Sequence, residues 1–368
     1  MADFITEAAK CTGCGACVNI CKKNAVRMIS KNNGFQYAVT DSEKCIKCGQ
    51  CFAVCKRRKQ TPEDLSDSPL VYAMRSDNKE TRIHSTSGGI FSELAECILK
   101  RKGRVAGAVY MPDWSAEHRL IRDSESLELL RRSKYQQSRT GLIYREVKEV
   151  LDKRKEVLFC GTPCQVGGLK AFLGKEYRNL FTCDFICRGV SSPKIFAKYI
   201  EDLRNTYGSD ITYVWMKNKC RGWHSLTTAI GFSNGEEYIE EGAKDSYVQL
   251  YLKHNAGVRE SCYHCEFKGE NHGADITLGD FWGLSGTELD DNLGTSVVIC
   301  RTRKGRRLVD EIKGHVQYQE KRLEDVKRGN PCLYNPIGES MADQEEFYNI
   351  LEREGYQQAV RWIAEADR

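Results

Sequence analysis

The sequence predicts two unlike parts, a small cysteine-rich α+β module at the N terminus followed by a larger mixed α/β domain. Two observations support this division. Residues 11–55 hold a repeated arrangement of cysteines, whereas the chain from Val71 onward alternates short apolar runs with stretches of helical periodicity. Such alternation of strands and helices is typical of an α/β domain. The length of 368 residues also exceeds the needs of one small module and suggests two or three domains.

The cysteine repeat consists of two runs with the same spacing, and every cysteine of the first run recurs 34 positions later. This C-x2-C-x2-C-x3-C spacing is the ligand pattern of bacterial two-cluster ferredoxins, in which the fourth cysteine of each run binds the other cluster. The pattern therefore predicts two [4Fe–4S] clusters with exchanged fourth ligands. The first set is Cys11, Cys14, Cys17 and Cys55, and the second set is Cys45, Cys48, Cys51 and Cys21.

Disulfide bonds and zinc both account poorly for these eight cysteines. A disulfide framework requires an oxidising compartment, and zinc does not explain eight cysteines in this register. Gly15 and Gly49 each follow the second cysteine of a run, where a positive φ lets the chain turn tightly around a cluster.

Composition excludes several classes of protein. We find no signal-peptide pattern in the first ten residues and no apolar run of about 18 residues, so a soluble cytoplasmic protein is expected. The net charge of +5 is spread along the chain, unlike that of a nucleic-acid domain. Eighteen cysteines in such a compartment indicate metal ligands or reactive thiols, for which oxygen is a hazard, and anaerobic conditions are expected. The basic run 56–59 is either a solvated face or a docking patch for an acidic electron carrier.

The remaining chain is divided by turn residues and by hydrophobic periodicity. The predicted organisation is the module at 1–60, a polar proline-containing linker at 61–70, an α/β core at 71–210, a strand-rich part at 211–340 and a helical tail at 341–368. Strands are predicted at 71–74, 105–111, 157–160, 180–186, 226–232, 237–239 and 296–301, with Asn234-Gly235 as a hairpin turn. Helices are predicted over Ile90 to Ile98, over 141–153, from Pro193 and over 344–366.

Two candidate sites lie in the larger domain. Ser85-Thr86-Ser87-Gly88-Gly89 precedes a helix, and it is either an anion cradle at a helix N-terminus or an ordinary cap with a glycine turn. We find neither a Gly-x-Gly-x-x-Gly nor a Walker pattern, so a bound nucleotide would be held in another way.

The second candidate site consists of four cysteines near the ends of predicted elements: Cys164, Cys187, Cys262 and Cys265. A third cluster and a zinc site with four thiolates fit this spacing equally well. Cys160 and Cys183 lie four residues before Cys164 and Cys187, so the choice of ligands stays open on spacing alone. The isolated Cys97, Cys220, Cys300 and Cys332 are interpreted as core or surface thiols.

Six stretches together carry a resemblance to a known family. In chain order they are Ser85-Thr86-Ser87-Gly88-Gly89, Ser133-Lys134-Tyr135-Gln136-Gln137-Ser138, Gly161-Thr162-Pro163-Cys164-Gln165, Cys187-Arg188-Gly189-Val190, Ser261-Cys262-Tyr263-His264-Cys265 and Asp275-Ile276-Thr277-Leu278-Gly279-Asp280-Phe281-Trp282-Gly283. The chain resembles the coenzyme F420 hydrogenase/dehydrogenase β-subunit family, fused to a ferredoxin module. Relatives in that family include deazaflavin-oxidising subunits and the plant enzyme that reduces 7-hydroxymethyl chlorophyll a.

The resemblance implies an FAD beside a third [4Fe–4S] cluster, with 71–210 as the FAD-binding core and 211–340 as the C-terminal part of the same flavin and iron–sulfur domain. It maps the ligands of that cluster onto Cys164, Cys187, Cys262 and Cys265 rather than onto Cys160 and Cys183. The implied FAD contacts are Thr86, Ser87, Gly88, Gly89, Lys134, Tyr135, Ser138, Gly161, Thr162, Pro163, Gly279 and Asp280.

The expected function is an iron–sulfur flavoprotein oxidoreductase that passes electrons between ferredoxin and an organic substrate, because clusters carry single electrons and a flavin exchanges two. One alternative is a dehydrogenase that oxidises reduced coenzyme F420 and donates electrons to ferredoxin. Another is a subunit that only transfers electrons and docks through its C-terminal tail, although that tail is expected to pack on its own domain. The sequence does not identify a general acid; Asp280, His224 and His272 are candidates.

Overall fold

The computed structural model describes residues 3–56, 65–269, 272–284 and 287–366. Part of the expected linker and residues 57–59 of the basic run lie outside these ranges. Across the described residues, no helix combines the length and the apolar character that crossing a bilayer requires.

The elements follow the predicted alternation. The strands are β1 (Asp3–Phe4), β2 (Val26–Ser30), β3 (Gln36–Thr40), β4 (Leu65–Ser76), β5 (Arg104–Tyr110), β6 (Ala116–Ile121), β7 (Val157–Cys160), β8 (Leu180–Phe185), β9 (Ile211–Asn218), β10 (Thr227–Phe232), β11 (Glu237–Glu240), β12 (Ile276–Asp280), β13 (Ser296–Thr302) and β14 (Val316–Lys321). The helices are α1 (Ala16–Ile20), α2 (Gln50–Lys56), α3 (Lys79–Ile83), α4 (Ile90–Lys100), α5 (Leu127–Leu130), α6 (Ile143–Asp152), α7 (Pro163–Leu173), α8 (Pro193–Tyr207), α9 (Ser246–Leu252), α10 (Glu260–Tyr263), α11 (Arg303–Ile312), α12 (Leu323–Gly329), α13 (Gln344–Arg353) and α14 (Tyr356–Ala366).

The N-terminal module forms a small antiparallel sheet in the order β1-β3-β2, and each cysteine run leads into a short helix. Gly15 adopts a left-handed conformation at the start of α1, with φ of 75°. Gly49 has the corresponding conformation before α2, with φ of 72°. These two glycines allow the turns that the repeat predicted, because residues with a Cβ rarely adopt positive φ.

The larger part is built on a sheet for which the described residues supply eight strands, in the order β14-β4-β13-β12-β8-β7-β5-β6. The pairs β5–β7, β7–β8 and β8–β12 are parallel. Because β13 is antiparallel to both β12 and β4, β4 runs in the same direction as the parallel strands. The carboxyl ends of β4, β5, β7, β8 and β12 therefore lie along one edge.

Helices cover both faces of this sheet because its central strands are apolar on both sides. Leu158 of β7 packs into a core with α4 and α11, whereas its neighbours Val157 and Phe159 pack into a core with α6 and α7. Side chains alternate across a strand, so one short run supplies both cores. The second core also contains Cys14, Ala16 and Val54, and the N-terminal module thus packs directly on α6 and α7.

A second, three-stranded sheet has the order β11-β10-β9, and the turn at Asn234-Gly235 joins β10 and β11 as predicted, with Gly235 at φ of 88°. Helices α8, α9, α13 and α14 pack with this sheet in one core. Phe347 and Leu351 of α13 are fully buried there, so the apolar face of the C-terminal tail packs on its own domain. The tail forms two helices, α13 and α14.

Two expected boundaries differ from the observed strands. The expected linker 61–70 was wrong in its second half, because Leu65 and Leu70 pair with Thr302 and Cys300 as part of β4. A register shift lies between these two pairs, an irregularity of the kind that a β-bulge introduces. The expected boundary at residue 211 falls between segments that share one sheet, since β12, β13 and β14 lie in the same sheet as β4 and β8.

Candidate functional site

The carboxyl-end edge of the large sheet brings together most of the candidate residues of the larger domain. The loop 85–89 follows α3 and returns to the end of β4, where Gly88 accepts the amide of Ser76 at 2.7 Å. Cys164 follows β7, Cys187 follows β8, and Asp280 ends β12. Residues from separate parts of the chain meet here because parallel strands end at the same edge, where open α/β sheets commonly bind ligands.

The inner cysteine set of the N-terminal module is Cys11, Cys14, Cys17 and Cys55. All four line one cavity together with Gly13 and Gly15. Burial raises the pKa of the Cys17 thiol above its usual range, and the nearby Cys14, Cys11 and Cys55 raise it further. Cys55 therefore lies with the first run, as the exchanged fourth ligand requires, and this set of four thiols has the donor chemistry of a four-iron cluster.

The inner set is attached to the larger domain by hydrogen bonds. The hydroxyl of Tyr144 lies 2.7 Å from the carbonyl oxygen of Cys14 and 2.9 Å from that of Gln165 in α7. A Cβ on Gly168 would lie 3.0 Å from the Cys14 sulfur. Helix α7 therefore lies in contact with the loop that carries Cys14.

The outer cysteine set is Cys45, Cys48, Cys51 and Cys21, and it lies at the surface. Burial raises the pKa of the Cys51 thiol, and the nearby Cys45 and Cys21 raise this pKa further. Cys48 is exposed, and beside it the side chains of Ile46 and Phe52 are 63% and 52% exposed. The repeat thus gives one set in which Cys11 and Cys14 are buried and one set in which Cys48 is exposed.

The third set is Cys164, Cys187, Cys262 and Cys265. Burial raises the pKa of Cys187 to about 12 and that of Cys262 to about 11, and in both cases neighbouring thiols of this set contribute. Burial raises the pKa of the Cys164 thiol above its usual range, and Cys187, Cys262 and Cys14 of the inner set raise this pKa further. The third set and the inner set are therefore electrostatic neighbours. The sulfur of Cys164 lies 3.1 Å from the hydroxyl of Thr162 at the start of α7.

The alternative ligands Cys160 and Cys183 have different surroundings. They lie opposite each other in the β7–β8 pair, and both pack with the core under α4 and α11. Of the isolated cysteines, Cys300 is buried in that core and Cys220 is exposed. Among the residues that the structure describes, no three His, Cys, Asp or Glu side chains group closely enough for a single metal ion.

The loop 85–89 is held by packing and internal hydrogen bonds. Gly88 donates its amide to the hydroxyl of Ser296 at 2.9 Å, and a Cβ on Gly88 would collide with the carbonyl oxygen of Met74. The hydroxyl of Ser87 donates to the carbonyl of Thr295 at 3.0 Å, and the Thr86 hydroxyl lies 3.1 Å from that of Ser133. Gly88 is thus required by its close approach to β4 and β13.

Several other implied FAD contacts also have internal partners. Burial lowers the pKa of Lys134 to about 7, and its ammonium group donates to backbone carbonyls, including that of Leu129 at 2.9 Å. The hydroxyl of Ser138 lies 3.1 Å from His118. Thr162 forms a capping box with Gln165 at the start of α7, with Pro163 at the first turn, and Gly161 donates its amide to Cys183 at 3.1 Å. These contacts position the loops of the edge.

Asp280 lies in a charged and aromatic group that the sequence did not reveal. Its carboxylate accepts a hydrogen bond from Lys217 at 2.6 Å, and Lys217 is only 2% exposed. The ammonium group lies 4.6 Å from the ring of Trp282 and 5.3 Å from that of Trp223, and the two rings stack at 4.4 Å. The sequence offered little reason to single out Lys217, because one lysine in a partly apolar strand such as β9 is common.

This group borders a cavity at the edge. Tyr135 and Lys217 line the cavity, and burial together with the nearby Asp280 raises the pKa of Tyr135 above its usual range. The second carboxylate oxygen of Asp280 and the indole nitrogen of Trp223 are buried and lack a hydrogen-bond partner among the described residues. Gly279 lies against Ile186, where a Cβ would come within 2.7 Å of its side chain. Unsatisfied donors and acceptors beside aromatic rings suit a polar, planar ligand.

The other two candidate acids lie elsewhere. His272 is buried and its Nδ1 lies 2.9 Å from a carboxylate oxygen of Asp184. His224 is more exposed, and its Nε2 lies 3.1 Å from Asp290. His224 is close to the group around Lys217, since its ring lies 5.0 Å from that of Trp223. The structure therefore brings Asp280 and His224, but not His272, near the aromatic pair.

Profiles of known families match most of the chain. Residues 71–142 match the profile described as coenzyme F420 hydrogenase/dehydrogenase, beta subunit N-term, and residues 154–326 match the profile of the C terminus of the same subunit. Residues 10–58 match a 4Fe-4S dicluster domain. No curated protein sequence matches. Among solved structures, a chain of the F420-reducing [NiFe] hydrogenase complex from Methanosarcina barkeri is 19% identical; the match covers 83% of this chain and 94% of that chain, with a TM-score of 0.49.

Proposed function

Because this chain belongs to the coenzyme F420 hydrogenase/dehydrogenase β-subunit family and carries a 4Fe-4S dicluster domain, we propose that it is an iron–sulfur flavoprotein oxidoreductase. It would connect a one-electron carrier with an organic substrate. The clusters would supply single-electron transfer, and an FAD would supply two-electron exchange with the substrate.

The observation that carries this proposal is the order of the three thiol sets. The outer set lies at the surface with Cys48 exposed, the inner set lies between the module and α7, and the third set begins at Cys164 on α7. The sulfur of Cys14 lies against Gly168, one helical turn along α7 from Cys164, so the inner and third sets are neighbours. Their order matches a route from the protein surface to the edge of the large sheet.

The outer set provides the site for the electron carrier. Ile46 and Phe52 form a small apolar centre beside the exposed Cys48. Lys47 is exposed next to it, and Lys22 and Lys23 are exposed directly after Cys21. A carrier with an acidic rim around its own redox centre, such as a ferredoxin, fits this combination of apolar contact and positive charge.

The edge of the large sheet provides the site for the flavin. Lys217 is a buried cation that its ion pair with Asp280 and the two tryptophan rings hold in place. Such a cation stabilises negative charge that develops on a nearby ring during reduction. The stacked rings of Trp223 and Trp282 exclude water from this side, and Asp280 offers its second oxygen as an acceptor.

Cofactor analysis after anaerobic purification tests the proposal. Three four-iron clusters predict about twelve irons per chain, together with one FAD and no zinc. The Cys265→Ser variant should lose about four of these irons. Zinc at the third set, or a preparation free of flavin, would contradict the proposal.

Two electron donors test the direction of transfer. Reduced ferredoxin should bleach the flavin of the intact protein in stopped-flow experiments, and loss of the outer cluster should slow this bleaching. Reduced coenzyme F420 would exchange a hydride with the flavin directly, so its bleaching rate would not depend on the outer cluster. A protein that responds only to reduced F420 would be a dehydrogenase that donates electrons outward.

The edge group around Lys217 is tested by substitution. Lys217→Met should make the bound flavin harder to reduce, because the cation that stabilises the reduced form is lost. Lys100→Met, at an exposed position of α4, is the control and should leave the flavin potential unchanged. An unchanged potential in the Lys217 variant would remove this group from the flavin site.

A further inference from the structure

Arg259 is a fully buried arginine that joins the third cysteine set to the inner set. It lies three residues before Cys262, at the residue that precedes α10. Its Nε donates to the carbonyl oxygen of Cys11 at 2.6 Å, and its Nη2 donates to that of Gln36 in β3 at 2.9 Å. One side chain therefore bridges the segment with Cys262 and the N-terminal module.

The remaining contacts of this guanidinium group are neutral. Its Nη1 donates to the side-chain oxygen of Gln137 at 2.6 Å, and it lies 4.4 Å from the ring of Tyr37 and 5.2 Å from that of Phe35. In the part of the chain that the structure describes, no carboxylate forms an ion pair with Arg259. A buried charge without an opposite charge is costly, so a compensating anion is expected nearby.

Bound clusters would supply this anion, because their thiolate ligands and sulfides carry negative charge. Arg259 touches both sets through the backbone: its Nε donates to the carbonyl oxygen of Cys11, and its own carbonyl oxygen accepts the amide of Cys262 at 2.8 Å. Gly13, at φ of 68°, leaves room for it, because a Cβ there would lie 3.0 Å from Nη1. The guanidinium group of Arg259 therefore packs against the loop between Cys11 and Cys14, which carries two cysteines of the inner set.

On the basis of the proposed function, we propose that Arg259 is the shared counter-charge of the inner and third clusters. Reduction adds one electron to a cluster and so one negative charge, and a buried cation next to the cluster favours the reduced form. Arg259 therefore raises the reduction potentials of the inner and third clusters relative to the outer one. Electrons that arrive at the outer cluster are drawn inward.

Arg145 offers a matched comparison at the other end of the module. It donates to the carbonyl oxygens of Cys21 and Asn19 at 2.8 and 2.7 Å, so it lies next to the outer set. Arg145 is only half-buried, whereas Arg259 is fully buried. Water and salt screen an exposed charge more strongly, so its influence on a cluster is smaller.

The experiment is a redox titration of the anaerobically purified full-length holoprotein, followed by electron paramagnetic resonance. Arg259→Met should lower the equilibrium constant for electron transfer from the outer to the inner cluster about tenfold or more, which corresponds to about 59 mV for one electron. Arg259→Lys keeps the positive charge and should change this equilibrium constant less than Arg259→Met does. Arg145→Met acts on the outer cluster and should change the same equilibrium constant by about threefold or less.

A second pair of variants covers the case in which Arg259→Met fails to fold. Gln137→Glu places a carboxylate next to the guanidinium and should neutralise its effect, lowering the potentials of the inner and third clusters. Gln137→Met, like Gln137→Glu, loses the amide group that donates to the carbonyl oxygen of Thr12, but it adds no charge and should have little effect on the potentials. Equal potentials in the Gln137→Glu and Gln137→Met proteins, or an unchanged potential in a folded Arg259→Met protein, would overturn the proposal. A wild-type protein without clusters would instead refute the proposed function.

Discussion

The two halves of the N-terminal module have the same cysteine spacing but different surroundings. The inner set is buried against α6 and α7, where Tyr144 bonds to the backbone of Cys14. In the outer set, the half-buried Arg145 of α6 bonds to the carbonyl oxygen of Cys21, while Ile46 and Phe52 beside Cys48 are exposed. The comparison teaches that equal cysteine spacing does not give equal surroundings, because the rest of the chain decides which set is covered and which set stays at the surface.

The largest stability difference should come from the two equivalent glycines, Gly15 and Gly49. Both have positive φ, so alanine strains the backbone at either position by about 1–2 kcal/mol. Only at Gly15 would a Cβ also collide with Thr140; at Gly49 it meets no atom within 4 Å. Gly15→Ala should therefore cost about 1–3 kcal/mol more than Gly49→Ala. Anaerobic thermal unfolding ranks the two variants, and equal melting temperatures would contradict the difference in packing.

A smaller effect is expected from Tyr144→Phe. The substitution takes this buried hydroxyl away from the carbonyl oxygens of Cys14 and Gln165. The cost is about 0.5–1.5 kcal/mol, because Cys14 keeps the hydroxyl of Thr140 as a donor. The control is Tyr318→Phe, because the side chain of Tyr318 is 43% exposed and its hydroxyl can be replaced by water. Both proteins should retain all their iron, and a lower melting temperature only in Tyr144→Phe would support the attachment of the inner half to the larger domain.

The smallest effect on stability, and a selective effect on rate, is expected from Lys47→Glu in the outer half. Reversal of one exposed charge should slow reduction by an acidic ferredoxin several-fold at low salt, and added salt should remove most of the difference. Lys100→Glu is the control, because it makes the same change at an exposed position of α4, on the other face of the large sheet. Equal association rates for the two variants would show that the carrier docks elsewhere.

The sequence predicted the elements of the α/β core well because hydrophobic periodicity reports burial directly. The strand at 157–160 was placed at its observed bounds, and the hairpin at Asn234-Gly235 formed as expected. The start of β4 was missed, since a proline and polar residues indicated a linker and only tertiary pairing with β13 keeps that segment extended. Strands β8 and β12 pair in one sheet although they lie far apart in the sequence. Local sequence patterns contain no signal for such a pairing.

The candidate site was predictable to the extent that its residues form motifs. The twelve cysteines were identified from spacing and resemblance, and their assignment as ligands stays a prediction. Lys217 and Arg259 were missed, because each is an ordinary residue type in an ordinary stretch. They stand out only in three dimensions, where Lys217 is buried beside tryptophan rings and Arg259 is buried without a described carboxylate partner.

The central claim is that electrons pass from the exposed outer cluster through the inner cluster to the third cluster. The most direct measurement mixes reduced ferredoxin with the anaerobic holoprotein and follows the clusters by freeze-quench electron paramagnetic resonance, in the wild type and in Cys48→Ser. Our account predicts that the outer cluster is reduced first in the wild type, and that the inner and third clusters of the Cys48→Ser protein stay oxidised on that timescale although their iron is retained. Reduction of the inner cluster at the wild-type rate in Cys48→Ser would contradict it.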